Sequence, residues 1–275
     1  MSDKKEVYEE SELYRIRHST AHIMAQAVLE QFPDGKVAIG PAIDDGFYYD
    51  FDLPRPLTPE DLEKIERRMR SIIQSRVRFE RRVGNAEEAR QIFHDQPYKL
   101  ELIAGLEEGK LDEDGNPVTE KPEISIYAHE GFVDLCRGPH VEVSSQINPA
   151  AVKLLSVAGA YWRGDERRPM LQRIYGTVWN NPQELKDYLW RIEEAKKRDH
   201  RKIGHDLDLF SSVDEIGAGL ILWHPKGAKV RKLVENFWSE EHEKSGYDFV
   251  YTPHIGKSQL WETSGHLGFY KENMY

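Results

Sequence analysis

The most constraining feature of this 275-residue sequence is an early change of hydrophobic period. From about Ser11 to Phe32, apolar side chains recur about every 3.6 residues, which predicts an amphipathic helix. Pro33-Asp34-Gly35 ends this helix, and residues 36–53 then show the β-rich pattern of a hairpin whose turn is Asp44-Asp45-Gly46. A helix followed directly by an antiparallel hairpin favours the α+β class.

The later segments also alternate between helical and strand-like patterns. Thr58-Pro59-Glu60-Asp61 is a strong helix start, because it combines a capping residue, a proline at the first helical position and acids in the first turn. Acidic residues and two prolines between Glu107 and Glu123 indicate a solvated loop. The other predicted elements are an extended segment 77–83, helices 58–75, 85–93, 182–202 (a linker between domains) and 227–244, and strands 98–102, 124–127, 132–136, 174–179 and 247–252.

Composition limits the class of protein. The chain has one cysteine, Cys136, so intramolecular disulfides and four-cysteine zinc clusters are excluded. No stretch approaches about 18 uncharged apolar residues and the start is acidic, so we expect a cytoplasmic protein without a membrane segment. The net charge of −10 argues against coating of nucleic acid by bulk charge. Residues 163–202 carry a local excess of +4, so any contact with RNA is expected to be local.

His18 and His22 are the sharpest chemical signal. Four residues turn an α-helix by about 400°, so both imidazoles lie on one side, about 40° apart, and can share a ligand. They lie opposite the stripe of Leu13, Ile16 and Met24, so we expect them to face away from the core. A structural or solvated pair of histidines is the alternative interpretation.

Cys136 and His140 are the second signal. Gly138-Pro139 interrupts the strand and lets the thiol and the imidazole converge. Strand alternation places Asp134 on the same face as Cys136. Together with the first two histidines, these groups could form a tetrahedral metal site or a hydrolytic pocket. A buried cysteine that only packs as a small hydrophobic residue is the alternative.

Seven segments are informative when they are read together and in order: His18-Ser-Thr-Ala-His22, Ala38–Asp50, Val133–His140, Gly159–Asp165, Met170–Thr177, Lys197–Lys202 and Trp223–Gly227. They resemble the bacterial threonyl-tRNA synthetases over nearly the whole chain. The resemblance implies an α+β fold, with an editing domain of helices packed on an antiparallel sheet at residues 1–182. A linker helix at 183–203 and an incomplete class II catalytic domain at 204–275, beginning with the motif 1 helix and strand, are expected to follow.

The resemblance also implies that the first domain hydrolyses seryl-tRNA(Thr). A pocket that accepts threonine cannot strongly reject serine, which lacks only a methyl group, so a second, hydrolytic site is needed. The positions that match the family's editing pocket are, for catalysis, His18, Lys99, Asp134 and His140, and, for substrate binding, His22, Tyr49 and Cys136.

These matches give a mechanistic hypothesis. Water attacks the aminoacyl ester while His18 and Lys99 orient or deprotonate it. Asp134 holds the amine of the substrate, and His140 contacts the ester or the ribose. Whether the editing pocket holds a metal stays open. The residues that would bind a zinc ion are His18, His22, Cys136 and His140.

The whole ligase of this family uses ATP and Mg²⁺, binds tRNA(Thr) with threonine or serine as the aminoacyl group, and dimerises through motif 1. Motifs 2 and 3, and the ligands of the family's catalytic zinc, are expected after Tyr275. The basic face at Lys196, Lys197 and Arg198 is expected to contribute to tRNA binding, with a merely solvated face as the alternative. Two other hypotheses for the function stay open. The chain could be a freestanding trans-editing hydrolase, or a tRNA-binding and dimerising fragment without catalytic activity.

Overall fold

A computed structural model describes residues 8–109, 123–217, 219–269 and 271. The chain divides into two compact units, Met1–Glu193 and Glu194–Tyr275. In chain order the helices are α1 Glu12–Gln31, α2 Pro59–Gln74, α3 Ala86–Ile92, α4 Pro97–Glu108, α5 Pro182–Lys197, α6 His200–Asp206, α7 Pro225–Lys244, α8 Ser258–Thr263 and α9 His266–Phe269. The strands are β1 Lys36–Val37, β2 Ala42–Ile43, β3 Gly46–Asp52, β4 Glu80–Val83, β5 Ser125–His129, β6 Phe132–Leu135, β7 Val152–Tyr161, β8 Met170–Val178, β9 Phe210–Ser211 and β10 Leu222–Trp223.

The first unit is built on an antiparallel sheet with strand order β1-β3-β8-β7, and β2 pairs with β3. The predicted hairpin is therefore confirmed, since Val37 lies opposite Phe51 and Ala42 opposite Phe47. Helices α1 and α2 pack on this sheet and on each other. Their shared core contains Met24, Phe47 and Ile65, none of which is exposed. The α+β class with antiparallel sheets is thus confirmed.

Helix α1 begins where the sequence predicts, because the hydroxyl of Ser11 caps it by accepting the N–H of Tyr14 at 3.1 Å. The helix is buried on every side from Ile16 to Val28. The expectation that His18 and His22 face away from the core therefore needs correction. Both side chains lie outside the apolar stripe, but they point into a second buried region. A helix enclosed on both faces carries little amphipathic signal, so period alone could not show this.

A second antiparallel sheet, β4-β5-β6, positions the other half of the candidate site. The predicted hairpin at 124–136 is confirmed, with Tyr127 opposite Asp134. Residues 98–102 were expected to be a strand, and this is wrong, because they belong to helix α4. The helix has proline at its first position and is capped after Glu108 by Gly109, whose φ of 67° lies in the left-handed region.

Three further expectations differ from the structure. Strand β7 was not predicted, because its run of Ser, Ala and Gly lacks alternation and half of its residues are exposed. The linker helix ends at Lys197, and Asp199 caps a separate helix, α6. Residues 247–252 form no strand, since the described part of the chain offers them no partner strand, and a strand needs one. Of the acidic segment 107–123, residues 110–122 lie outside the described residues.

The described part of the second unit contains helix α6, the short hairpin β9–β10, helix α7 and the small helices α8 and α9. The predicted helix 227–244 is confirmed as α7, which begins two residues earlier at Pro225. Among the described helices, none combines the length and the apolar character needed to cross a bilayer.

Candidate functional site

Five of the seven predicted site residues line one small pocket in the first unit, and the other two, His140 and Tyr49, contact residues of its lining. Its walls come from α1, the segment before β2, α4, β6 and the turn after β6, and the space between them is about 10 Å³. A space of this size admits about one water molecule or one metal ion. The lining residues are His18, His22, Ile39, Gly40, Lys99, Asp134, Leu135, Cys136 and Gly138.

One wall of the pocket is a cluster of imidazoles around the thiol of Cys136. The Sγ atom lies 3.2 Å from Nε2 of His18 and 3.3 Å from Nε2 of His140. The rings of His18 and His22 are 5.2 Å apart, and each lies 4.3 Å from the ring of His140. The predicted convergence of these groups is therefore observed, and only His140 among them is partly exposed.

The turn after β6 brings Cys136 and His140 together. Gly138 has a φ of 81°, a conformation that favours glycine, and its N–H donates to Cys136 Sγ at 3.2 Å. A Cβ atom at this glycine would lie 2.4 Å from the hydroxyl oxygen of Tyr127. The Gly-Pro signal in the sequence thus marks a turn in which any other residue would be strained.

The opposite wall is a buried charge pair. Lys99 Nζ lies 2.5 Å from Oδ1 of Asp134, and both side chains are only 2% exposed. The phenol of Tyr49 donates to Oδ2 of the same carboxylate at 2.5 Å, and Nε2 of His22 lies 3.5 Å from it. An ionised carboxylate can accept about four hydrogen bonds, so Asp134 keeps capacity for a substrate ammonium group.

Burial sets the protonation of the imidazoles. It lowers the pKa of His18 to about 4, with the charges of Arg137 and Lys99 adding to the effect and the Pro139 carbonyl opposing it. Burial also lowers the pKa of His22 and of His140 well below the usual range, and the neighbouring histidines add to it. At neutral pH the three rings are therefore uncharged, so they can accept a proton or bind a metal.

The donor set fits a zinc ion. The four ligand atoms lie within 4.8 Å of one another, and the two Sγ–Nε2 distances are close to the value of about 3.5 Å expected between ligands around a tetrahedral zinc. Neutral imidazoles and a cysteine thiolate are ligands that zinc prefers, so zinc binding would require Cys136 to lose its proton. The residues that could hold it are His18, His22, Cys136 and His140.

Sequence reasoning missed the residues that support His140. Phe79 stacks on its ring at 5.2 Å, Tyr127 meets it edge-on at 4.4 Å, and Ser19 lies 3.1 Å from its Nδ1 atom. Ser19 could have been found, because it lies three residues before His22 and shares its side of the helix. Nothing in the local pattern singles out the two aromatic residues.

Comparison with known proteins adds family information to this geometry. Residues 124–175 match the family described as the threonyl and alanyl tRNA synthetase second additional domain. The matched segment contains Asp134, Cys136 and His140, whereas the residues contributed by α1, β3 and α4 lie before it.

Curated relatives match a much longer part of the chain. The threonine–tRNA ligase of Borreliella burgdorferi is 55% identical over 271 residues, which cover 98% of this chain and 45% of that protein. The enzymes of Borrelia duttonii and Dehalococcoides mccartyi are each 57% identical, over 97% and 96% of the chain. The chain spans less than half the length of these relatives. Over nearly the whole of its own length, the sequence belongs to the threonine–tRNA ligase family.

Proposed function

We propose that the first unit hydrolyses the ester bond of tRNA(Thr) mischarged with serine. The observation that carries this proposal is the pocket itself, in which neutral imidazoles face a buried lysine–aspartate pair within the domain family found in threonyl and alanyl tRNA synthetases. The space of about 10 Å³ has room for about one water molecule, so the pocket would have to open before the terminal adenosine enters.

Hydrolysis would proceed by direct attack of water on the ester. A water oxygen bonds to the carbonyl carbon, and His18 takes the proton that the water loses. The resulting oxyanion collapses, the bond from carbon to the ribose oxygen breaks, and the proton passes from His18 to that oxygen. The products are serine and a tRNA with a free ribose hydroxyl, so atoms and charges balance.

The charged wall would bind the serine portion. The carboxylate of Asp134 is held by Lys99 and Tyr49 and faces the pocket, so it can accept the substrate ammonium group. Lys99 would orient the attacking water, and its cationic head can stabilise the oxyanion. His140 would contact the ester or the ribose, while His22 and Cys136 shape the pocket.

A zinc ion, when bound by His18, His22, Cys136 and His140, would polarise the ester carbonyl and lower the pKa of a bound water. Because such an ion would occupy the nitrogen of His18 that takes the water proton, the proton transfer described above applies to the metal-free pocket.

We also propose the wider assignment that family membership suggests. Residues 1–182 would be the editing domain, 183–203 the linker helix, and 204–275 the start of a class II catalytic domain in an ATP- and Mg²⁺-dependent, cytoplasmic ligase. The second unit exposes many large apolar side chains, such as Phe237 at 66% and Tyr251 at 99%. Exposed apolar side chains of this kind support the proposal that this surface is buried in a homodimer or against another part of the whole ligase.

The test is release of labelled serine from mischarged seryl-tRNA(Thr) by the full chain. His18→Gln should lower the rate by about 10²- to 10⁴-fold, the usual contribution of a general base. His205→Gln, which alters a 92% exposed side chain in the second unit, serves as the matched control and should leave the rate unchanged. A wild-type chain that releases no serine above buffer would overturn the proposal.

A further inference from the structure

Ser19 is a buried hydroxyl on α1 whose contacts lead across to the pocket. Its side chain is not exposed, its Oγ atom accepts the N–H of Val141 at 3.0 Å, and the same oxygen lies 3.1 Å from Nδ1 of His140. The neighbouring Thr20 donates instead to the Ile16 carbonyl of its own helix at 2.6 Å, as helical hydroxyls often do. Ser19 therefore bonds to the turn after β6 and not along its helix.

These contacts define where the hydroxyl hydrogen points. A buried hydroxyl hydrogen needs an acceptor, and the Val141 contact already uses the oxygen of Ser19 as an acceptor. Among the described residues, the remaining partner of Ser19 is Nδ1 of His140, so the O–H donates there. A neutral imidazole carries one proton, which for His140 is then on Nε2, the atom 3.3 Å from Cys136 Sγ.

The thiol of Cys136 links the protonated nitrogen of His140 to His18 by further hydrogen bonds. Cys136 Sγ accepts from Nε2–H of His140 and from the N–H of Gly138. Its own S–H then has Nε2 of His18, at 3.2 Å, as an acceptor. In this arrangement Nε2 of His18 carries no proton.

We propose that Ser19 is a positioning residue that fixes the proton order of the pocket. Through His140 and Cys136, it leaves one donor, Nε2–H of His140, and one acceptor, Nε2 of His18. The catalytic consequence rests on the proposed function: the thiol is a weak donor that yields to water, so His18 Nε2 can take the water proton. Nε2–H of His140 can then donate to the carbonyl oxygen as it becomes charged.

The tautomers can be measured without any substrate. The full chain, labelled with ¹⁵N-histidine and treated with a chelator, is studied by long-range ¹H–¹⁵N NMR, and His140 is assigned with the His140→Gln variant. We expect His140 to carry its proton on Nε2 and to show the ¹⁵N shift of a hydrogen-bonded acceptor at Nδ1. A proton on Nδ1 of His140 would overturn the inference.

Three variants separate positioning from general packing. Ser19→Ala should remove the hydrogen-bond signature at Nδ1 and let the second tautomer appear, whereas Ser19→Thr, which keeps the hydroxyl, should restore the wild-type spectrum. Thr20→Val removes a neighbouring buried hydroxyl and should leave the His140 resonances unchanged. An unaltered Nδ1 resonance in Ser19→Ala would contradict the proposed role.

Kinetics provide the functional readout. Ser19→Ala should lower kcat for serine release by about 10- to 100-fold with little change in KM, as for other residues that orient a site imidazole. A drop confined to KM would assign Ser19 to substrate binding and refute the positioning role. If the wild-type chain shows no hydrolysis, the proposed function fails, while the NMR spectra still decide the proton order.

Discussion

His129 should make the fold measurably sensitive to mild acid. The side chain is 2% exposed and stacks on Phe79 at 4.4 Å, and within the described residues neither ring nitrogen has a hydrogen-bond partner. Burial lowers the pKa of this imidazole from 6.5 to about 4. The folded state therefore resists protonation that the unfolded state accepts.

The sign and size of the effect follow from this shift. Between pH 6.5 and pH 4 the unfolded chain binds more protons than the folded chain, so the free energy of unfolding falls as the pH falls through that window. At pH 5, a group with these two pKa values contributes a loss of about 2 kcal/mol relative to pH 7.5. His18, with a similarly lowered pKa, adds a comparable loss.

The assay is urea unfolding at pH 7.5 and pH 5.0, followed by far-UV circular dichroism. His129→Phe replaces the imidazole with a ring of similar shape, so its loss of stability between the two pH values should be about 2 kcal/mol smaller than that of the wild type. The contribution of His18 is common to both proteins and cancels. His94→Phe, at an exposed position, is the control and should keep the wild-type pH dependence. A difference below about 0.5 kcal/mol between the wild type and His129→Phe would refute the reasoning.

Three further outcomes are expected. Lys99→Met should destabilise the first unit by about 3–5 kcal/mol because it leaves the carboxylate of Asp134 buried without its cation, and adding Asp134→Asn should restore most of that loss in urea unfolding. Gly40→Ala would place a Cβ atom 1.9 Å from the ring of Tyr49, so it should cost about 1–3 kcal/mol and slow serine release; unchanged stability would show that the ring moves freely. If His18 is the base, kcat should be constant above about pH 5 and fall to half near pH 4, and a midpoint near 6.5 would contradict a buried His18.

The sequence was sufficient to predict which imidazoles meet. Helical period places His18 and His22 on one side of α1, and the Gly-Pro turn returns His140 toward Cys136, so both pairs follow from local spacing. The meeting of the two pairs depends on how α1 packs against the turn after β6. That contact joins residues more than one hundred positions apart, and no local pattern encodes it.

The position of Lys99 shows why the other wall was harder to predict. Alternation at 98–102 suggested a strand, whereas Pro97 and the left-handed Gly109 delimit a helix. Reading the two end signals first would have given the helix, since proline is favoured at the first helical position and glycine just after the last. Even then, the 2.5 Å contact with Asp134 follows from tertiary packing, which brings Lys99 of α4 and Asp134 of β6 into the same wall of the pocket.

Net charge counted along the sequence likewise omits ion pairs formed by tertiary packing. Residues 163–202 carry a local excess of +4, from which any contact with RNA is expected to be local. In the structure, Arg163 and Arg168 contact Glu101 at 3.1 and 2.6 Å, and Arg173 contacts Asp50 at 2.6 Å. Both acids lie outside residues 163–202, and counting them lowers the excess of positive charge from +4 to +2. Within the segment, Lys197 and Arg198 both pair with Glu194. Under the proposed editing function, binding of seryl-tRNA would therefore depend on the fit of its terminal nucleotide in the pocket more than on the net charge of residues 163–202.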